Sequence, residues 1–328
     1  GSAGALSYGG KGGFGAAFTL NLIKSATSAI FRDSDLKFHG NLNLTGEAKN
    51  TIISAAGAVG ASKDKGGVGI TLAINLLLNS VNTVMERVSA LSAAGNTTGL
   101  ISAENSSTVI NAAGALGAAK TAGVGVVIAF NLIQPQIKAA IMDSRLEMGN
   151  GAVTGDSSSL TVSAKDGSTI YSVSAGGAGA EKVAVAGAIS ANIILTDVEA
   201  SIKGAGTVVK ATGDISIRST AENNIYAYAG NAAGAGKVAV GAAFSFNMSN
   251  IQLAAFIDGA KVESTNGNIF VQSSASGEMI GLAAGAQGAG KVAVGGSVVI
   301  GLLNNNISAY VNNGAELTAE GSVSISAD

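Results

Sequence analysis

The stretch GAQGAGKVAV, which begins at Gly285, carries most of the residues of a phosphate-binding loop. Gly285, Gly290 and Lys291 fit the pattern G-x-x-x-x-G-K-[ST], in which backbone N–H groups hold phosphates and the last hydroxyl binds Mg²⁺. Two sister copies break the pattern, because Asn231 replaces the first glycine in one and Glu181 replaces the last glycine in the other. Valine follows the lysine in all three copies, so the hydroxyl is missing. We therefore predict no nucleotide site and no cofactor, and we assign these glycines to a tight turn.

The other residues suited to catalysis or metal binding are few and scattered. The chain has one histidine, His39, and no cysteine, which leaves neither a zinc ligand set nor a Ser-His-Asp arrangement. Asp33, Asp143 and Asp258 follow similar phrases in different repeats, but Ser and Ala, or Lys203, occupy the matching place between them. Paired carboxylates for glycoside hydrolysis must lie roughly 5 to 10 Å apart. We predict no catalytic residue and no metal site, and a polysaccharide-cleaving enzyme is the least favoured reading.

The composition is rich in small residues and poor in charge. The 328 residues include 47 glycines, only 12% are charged and the formal net charge is -2. Nucleic acid binding needs clustered Lys and Arg, so we predict no nucleic acid partner. The longest apolar runs, such as residues 67–78, are interrupted by Asn and are too short for membrane-spanning helices. The leading residues 1–2 read as an expression scar.

A repeat of 54 to 61 residues organises the whole chain, in about six copies. The phrase KVAV recurs at Lys182, Lys237 and Lys291, at intervals of 55 and 54 residues. An asparagine follows the block in five copies, and Gly301 takes its place in the last. These asparagines are Asn21, Asn75, Asn131, Asn192 and Asn247. Both ends interrupt a repeat, so we expect residues 1–328 to be one continuous piece of a longer array.

Within the repeat, hydrophobic side chains alternate with a period of two, which indicates strands. Equivalent residues would then stack on one another from repeat to repeat. One predicted column is Ile215, Ile269 and Val323, and the next is Ile217, Val271 and Ile325. Such columns predict an all-β, right-handed parallel β-helix, or β-solenoid, and the long repeat suggests two or three coils per copy. Short helices are the rival for Ala-rich pieces such as residues 111–120.

Several strands are apolar or small on both faces, so an outer Ala/Gly face is expected to be covered by another layer or to form a flat interaction surface. The repeated asparagines have two readings, a ligand ladder or, preferably, side chains that bond their own corner and bridge coils. Lys182, Lys237 and Lys291 likewise form either a basic stripe for anionic glycans or lipid head groups, or, preferably, solubilising corner residues.

The unit made of an Ala/Gly corner, KVAVxGA, an Asn, an AxI phrase and a GDISI-type strand resembles the repeats of type V-secreted bacterial exoproteins. Among these two-partner and autotransporter proteins, it is most similar to the haemagglutinin-like leukotoxins of Fusobacterium. The likeness covers essentially the whole chain and rests on repeat texture. It implies a secreted or cell-surface virulence protein, exported through an outer-membrane translocator, that contacts the host cell surface.

Three functions follow from this reading. The first is a segment that reaches and binds host cells, as an adhesin or stalk module does. The second is a toxin whose small-residue face contacts or enters a host membrane, and the resemblance favours this one. The third is an enzyme on the same scaffold, which the lack of clustered acids and bases disfavours.

Overall fold

The chain folds into a parallel β-solenoid, as the repeats predicted. The computed structural model describes residues 1–92, 95–149 and 155–328. In chain order the strands are β1 (Ser2–Gly9), β2 (Gly12–Phe38), β3 (Leu42–Ser62), β4 (Gly66–Ser92), β5 (Thr98–Ala119), β6 (Ala122–Met142), β7 (Arg145–Met148), β8 (Ser159–Ala180), β9 (Val183–Lys203), β10 (Val208–Ala211), β11 (Ile215–Ala235), β12 (Val238–Asp258), β13 (Lys261–Ser264), β14 (Ile269–Ala289), β15 (Val292–Asn312), β16 (Glu316–Ala319) and β17 (Val323–Ala327).

Each coil has two long sides and one short side. Sheet 1 has the strand order β1-β3-β5-β8-β11-β14-β17. Sheet 2 runs β15-β12-β9-β6-β4, continues into the short strands β7-β10-β13-β16, and has β2 paired with β4 at its other end. A tight turn joins the long strand of sheet 1 to that of sheet 2, and the short strands close the opposite end of the coil.

One repeat makes one coil, so the expectation of two or three coils per repeat is wrong. Ile215 pairs with Ile269 across neighbouring strands, and the two residues are a full repeat of 54 positions apart. The reason is strand length: β11 and β12 have 21 residues each, whereas strands in globular proteins usually have 3 to 10 residues. Two such strands consume most of a repeat.

The predicted columns lie in sheet 1, next to the closed end of the coil. Ile215 pairs with Ile269 and Ile269 pairs with Val323. Ile217, Val271 and Ile325 form the neighbouring inward column in the same way. In the inner coils these side chains are buried in an aliphatic core that also contains Ile202 and Leu146.

The two sheets converge towards the tight turns, so the cross-section is a wedge. Near the short strands they are separated by large side chains such as Met85 and Ile141, and near the turns by alanines such as Ala184 and Ala239. A Cβ added at Gly117 would overlap the carbonyl oxygen of Val124 on the opposite sheet. Backbone therefore faces backbone there, which explains much of the Gly and Ala content.

Residues 111–120, where a short helix was the rival reading, belong to β5 up to Ala119. Alanine favours a helix, but this segment lies in the narrow part of the wedge. Its inward positions must be small enough for the opposing sheet, and the ladder to β3 and β8 pairs its backbone on both sides. Tertiary context thus overrides helix propensity.

Candidate functional site

The phosphate-loop-like stretch lies in a strand and a turn. Gly285 is part of β14, which continues to Ala289, and Val292 already belongs to β15. No helix follows, so no helix N-terminus faces the lysine as a phosphate cradle requires. Lys182, Lys237 and Lys291 all lie exposed at successive tight turns.

The repeated asparagines point into the wedge and form a hydrogen-bonded ladder. Asn75, Asn131, Asn192 and Asn247 are fully buried, and Asn21 is half-buried. The first four donate Nδ2 to Oδ1 of the next: Asn21 to Asn75, Asn75 to Asn131 and Asn131 to Asn192 at 2.7 Å, and Asn192 to Asn247 at 2.9 Å. Because these buried amides hydrogen-bond to one another, they are not available to bind a ligand. Their arrangement supports the structural role, in which they link successive coils.

A second polar belt crosses the interior closer to the short strands and contains a buried acid, Asp166. Its Oδ1 accepts from Asn105 Nδ2 at 2.6 Å and from Ser168 Oγ at 3.0 Å, and its Oδ2 accepts from Thr196 Oγ1 at 3.0 Å. Burial raises the pKa of Asp166 to about 6, although these hydrogen bonds partly oppose the shift. Asp166 is fully buried, and its hydrogen bonds join it to other interior side chains of the described residues.

Asp33, Asp143 and Asp258, the aspartates considered as a possible catalytic pair, lie at the same corner of their coils. Their strand register differs from the one expected. Asp33 stands opposite Arg87, not opposite Ser or Ala, because Arg32 pairs with Glu86 and Ser34 with Val88. Arg87 Nε donates to Asp33 Oδ1 at 2.6 Å, and this bond is the main cause of the lowered pKa of Asp33. The corner is therefore an exposed ion pair.

Asp143 and Asp258 also differ from each other by one position in strand register. Asp258 pairs with Lys203, as expected, and Lys203 pairs with Met142, so Asp143 is one position further along. Asp33, Arg87 and Asp143 share a left-handed φ near +50°, and Gly204 takes the same corner in the next coil. The corner is a backbone bend between the long and the short side of the coil.

Residues 1–92, 95–149 and 155–328 contain no cluster of potential metal ligands. Nowhere in these ranges do three His, Cys, Asp or Glu side chains come close enough to hold an ion. His39 is exposed in the turn after β2. In the same ranges, no helix of sufficient length and hydropathy to cross a membrane occurs.

The unusual surface of the molecule is the outer face of sheet 2 beside the tight turns. In β12 the inward side chains are small, such as Ala239, Gly241 and Ala243, while Phe244 and Phe246 point outward. The expected outer Ala/Gly face is thus wrong for sheet 2: the small residues face inward because the sheets nearly touch, and the large ones are left outside.

These outward side chains stack into apolar columns across six coils. One column contains Phe18, Leu72, Ile128, Ile189, Phe244 and Val298. Another contains Leu22, Leu76, Leu132, Ile193, Met248 and Leu302. Even in the middle of the array, Ile128 and Ile189 are 39% and 42% exposed. Six strands about 4.8 Å apart give this face a height of about 24 Å.

The outer face of sheet 1 is apolar at the same level. Its columns contain Gly, Ala and larger residues, among them Ile53, Ile110, Tyr171, Tyr226 and Ile280 in a single column. The Tyr171 and Tyr226 rings stack with centroids 5.1 Å apart. Tyr226 Oη donates to Glu278 Oε2 at 2.8 Å, so this column lies where the apolar part of the face meets its polar part.

We name the region beside the turns the thin half: in each coil, up to eleven residues before the tight turn and eleven after it. Its segments are residues 1–9, 12–22, 52–62, 66–76, 109–119, 122–132, 170–180, 183–193, 225–235, 238–248, 279–289 and 292–302. None of them contains an Asp, Glu, Lys, Arg or His side chain. Eleven strand residues span about 36 Å, so both faces are free of charged side chains over that length.

The charges of the thin half are confined to its rim, the six tight turns. We call these the tip turns; their charged residues are Lys11, Lys63, Asp64, Lys65, Lys120, Glu181, Lys182, Lys237 and Lys291. Seven of the 19 basic and two of the 21 acidic side chains lie here, which leaves 12 basic and 19 acidic ones elsewhere. The tip is therefore cationic, and the remainder of the chain, which we name the wide half, is anionic.

The alternation of KVAVGAAFSFN is visible in the sequence, but its Ala/Gly face, expected outside, lies inside. The signal was present, because Asn247 has the same parity as Ala239, Gly241 and Ala243. A side chain that forms the buried ladder marks its face as the inner one. Comparison with family models, with curated proteins and with solved structures finds no match to this chain.

Proposed function

We propose that this chain is a β-helical segment of a secreted bacterial virulence exoprotein, similar to the leukotoxins, whose role is to contact host cells. The observation that carries the proposal is the thin half, with two outer faces that have large exposed apolar side chains and no charged ones. Monomeric proteins rarely expose contiguous apolar patches of more than a few hundred Å² unless the patch binds something. The role is non-enzymatic, and the protein acts outside the bacterium or on its surface after passage through an outer-membrane translocator.

The second candidate is an adhesin or stalk module without toxic activity. It is favoured by the ladder from Asn21 to Asn247 and the aliphatic columns beside it, which link successive coils along the array. Repeat proteins of this kind commonly serve as extended scaffolds, because each coil contacts only its neighbours.

The test exposes leukocytes and epithelial cells to the fluorescently labelled folded protein, and scores binding and calcein release together. Saturable binding with calcein release supports the leukotoxin-like role. Saturable binding without release supports the adhesin. No binding to either cell type by a protein with intact β-sheet circular dichroism contradicts both.

A further inference from the structure

We propose that the thin half enters a lipid bilayer edge-on, with its long strands crossing the hydrocarbon layer and its lysine-bearing tip turns among anionic head groups. This inference rests on the proposed function, since it names the lipid phase of the contacted membrane as the partner of the same surface. Four features of the molecule point to lipid.

The first feature is that apolar surface lies on both sides of the wedge. Phe244 and Phe246 point out of sheet 2, and Tyr228 and Leu282 point out of sheet 1. A second copy of the chain, packed on the face of sheet 2, would leave the face of sheet 1 in water. A hydrocarbon phase covers both faces at once.

The second feature is that, in the coil of β11 and β12, the two apolar faces end at nearly the same level. On sheet 1, Tyr226 is followed towards the wide half by Asn224 and Glu222 in the outward positions. On sheet 2, Met248 is followed by Asn250 and Gln252. Tyr226 is the tenth residue before the tip turn between them, and Met248 is the eleventh after it. Such a common level is expected where a planar apolar phase ends, and tyrosine is a residue that concentrates at that boundary.

The third feature is length. A strand of about 9 to 11 residues crosses the hydrocarbon core of a bilayer, which is about 30 Å thick. Each side of the thin half supplies eleven residues without a charged side chain. In the inner coils the backbone groups pair with the coils on either side, which removes the main cost of placing strands in lipid.

The fourth feature is charge. The tip turns hold seven lysines against two acids, and Lys182, Lys237 and Lys291 stack in consecutive coils. Phosphate head groups are the anions that such a row would meet at a membrane surface. The interior polar ladder is no obstacle, because Asn131 and Asn192 satisfy each other in the dry space between the sheets.

The test is flotation of the folded protein with vesicles made of equal parts phosphatidylcholine and phosphatidylglycerol. Two variants each place one lysine in the middle of an apolar face: Phe244→Lys on sheet 2 and Tyr228→Lys on sheet 1. Gln252→Lys is the matched control, since it makes a similar change on β12 in the wide half. Thermal melts followed by circular dichroism check that each variant is folded.

We expect a monomer that floats with the vesicles, a loss of affinity of at least about thirtyfold in both face variants, and little change in the control. A stable dimer in solution whose formation is abolished by Phe244→Lys but not by Tyr228→Lys would overturn the inference in favour of a second copy. Binding to cells without binding to vesicles would overturn it while leaving the proposed function in place. Binding to neither would remove both.

Discussion

The side-chain amide of Asn131 donates to Oδ1 of Asn192 at 2.7 Å, although the two residues are 61 positions apart in the sequence. Both are fully buried between the two sheets. This contact is one step of a ladder that passes through five coils and holds neighbouring strands in register. A solenoid with a thin, Ala-lined interior has little apolar volume to enforce register, so a directional polar contact takes over that role.

Replacing a central member of the ladder should destabilise the protein. In Asn131→Ala, the Oδ1 of Asn192 loses its donor from Asn131 and Asn75 Nδ2 loses its 2.7 Å acceptor. Each buried group left without a partner costs about 1–3 kcal/mol, so we expect a loss of about 2–4 kcal/mol in urea unfolding. Asn21→Ala is the control, because Asn21 is half-buried at the end of the ladder, and it should cost less. Equal losses in the two variants would argue against a cooperative spine.

The close approach of the sheets predicts opposite outcomes for two glycines. Gly117→Ala places a methyl group on the carbonyl of Val124, whereas nothing lies within 4 Å of a Cβ added at Gly179. We expect the first change to cost about 1–3 kcal/mol or more and the second to be within about 0.5 kcal/mol of the parent. Thermal unfolding of the two variants measures the difference. A tolerated Gly117→Ala would mean that the sheets are further apart than described.

Asp166 predicts how stability depends on pH. Its pKa of about 6 lies above the ordinary value of 3.8, so the folded state binds the proton more tightly than the unfolded state. The stability that depends on the protonated acid is fully present below pH 3.8 and is lost as the pH rises through about 6, in total about 3 kcal/mol.

Asp166→Ala removes this pH-dependent contribution to stability. Alanine is already present at the paired position in the next coil, as Ala221. The variant should lose the pH-dependent step between about pH 4 and 6, measured as urea midpoints across that range. The step would persist in the variant if another group caused it.

The tip lysines should control affinity for anionic membranes. Reversing charge in Lys182→Glu and Lys237→Glu should each weaken binding to phosphatidylglycerol-containing vesicles by at least about fivefold, because a basic residue near such a surface contributes about 1 kcal/mol and the new carboxylate is repelled. Lys165→Glu, exposed in the wide half, is the control. Equal effects at Lys165 and Lys237 would indicate a general charge effect and not a located tip.

Much of the fold could be predicted from the sequence, because residues that contact each other in a solenoid recur at a fixed interval. Ile215, Ile269 and Val323 are similar in sequence because they stack in space, and period-two alternation shows that they lie on strands. The number of coils per repeat could not be predicted in the same way. It depends on where the chain turns, and turns at Gly236-Lys237 resemble other Gly-rich stretches of β11 and β12 that continue straight.

The outward apolar face was harder to predict than the fold. Large residues on one side of a strand normally face the core, so Phe244 and Phe246 suggested an interior and Ala243 an exterior. The separation of the two sheets decides the matter, and that distance is a tertiary property. The short distance between the sheets is reflected in the sequence by glycines such as Gly117 and Gly241. Turns and flexible segments also contain small residues, so these glycines alone do not reveal it.

Single tryptophans on the outer face of β12 report whether the thin half is the part of the molecule that meets lipid. The chain has no tryptophan, so Phe244→Trp and Gln252→Trp each report one place on the outer face of β12. With vesicles that contain brominated phosphatidylcholine and phosphatidylglycerol, we expect blue-shifted, strongly quenched emission from Phe244→Trp and water-like, unquenched emission from Gln252→Trp. Water-like emission from both variants in the presence of excess vesicles would contradict this expectation.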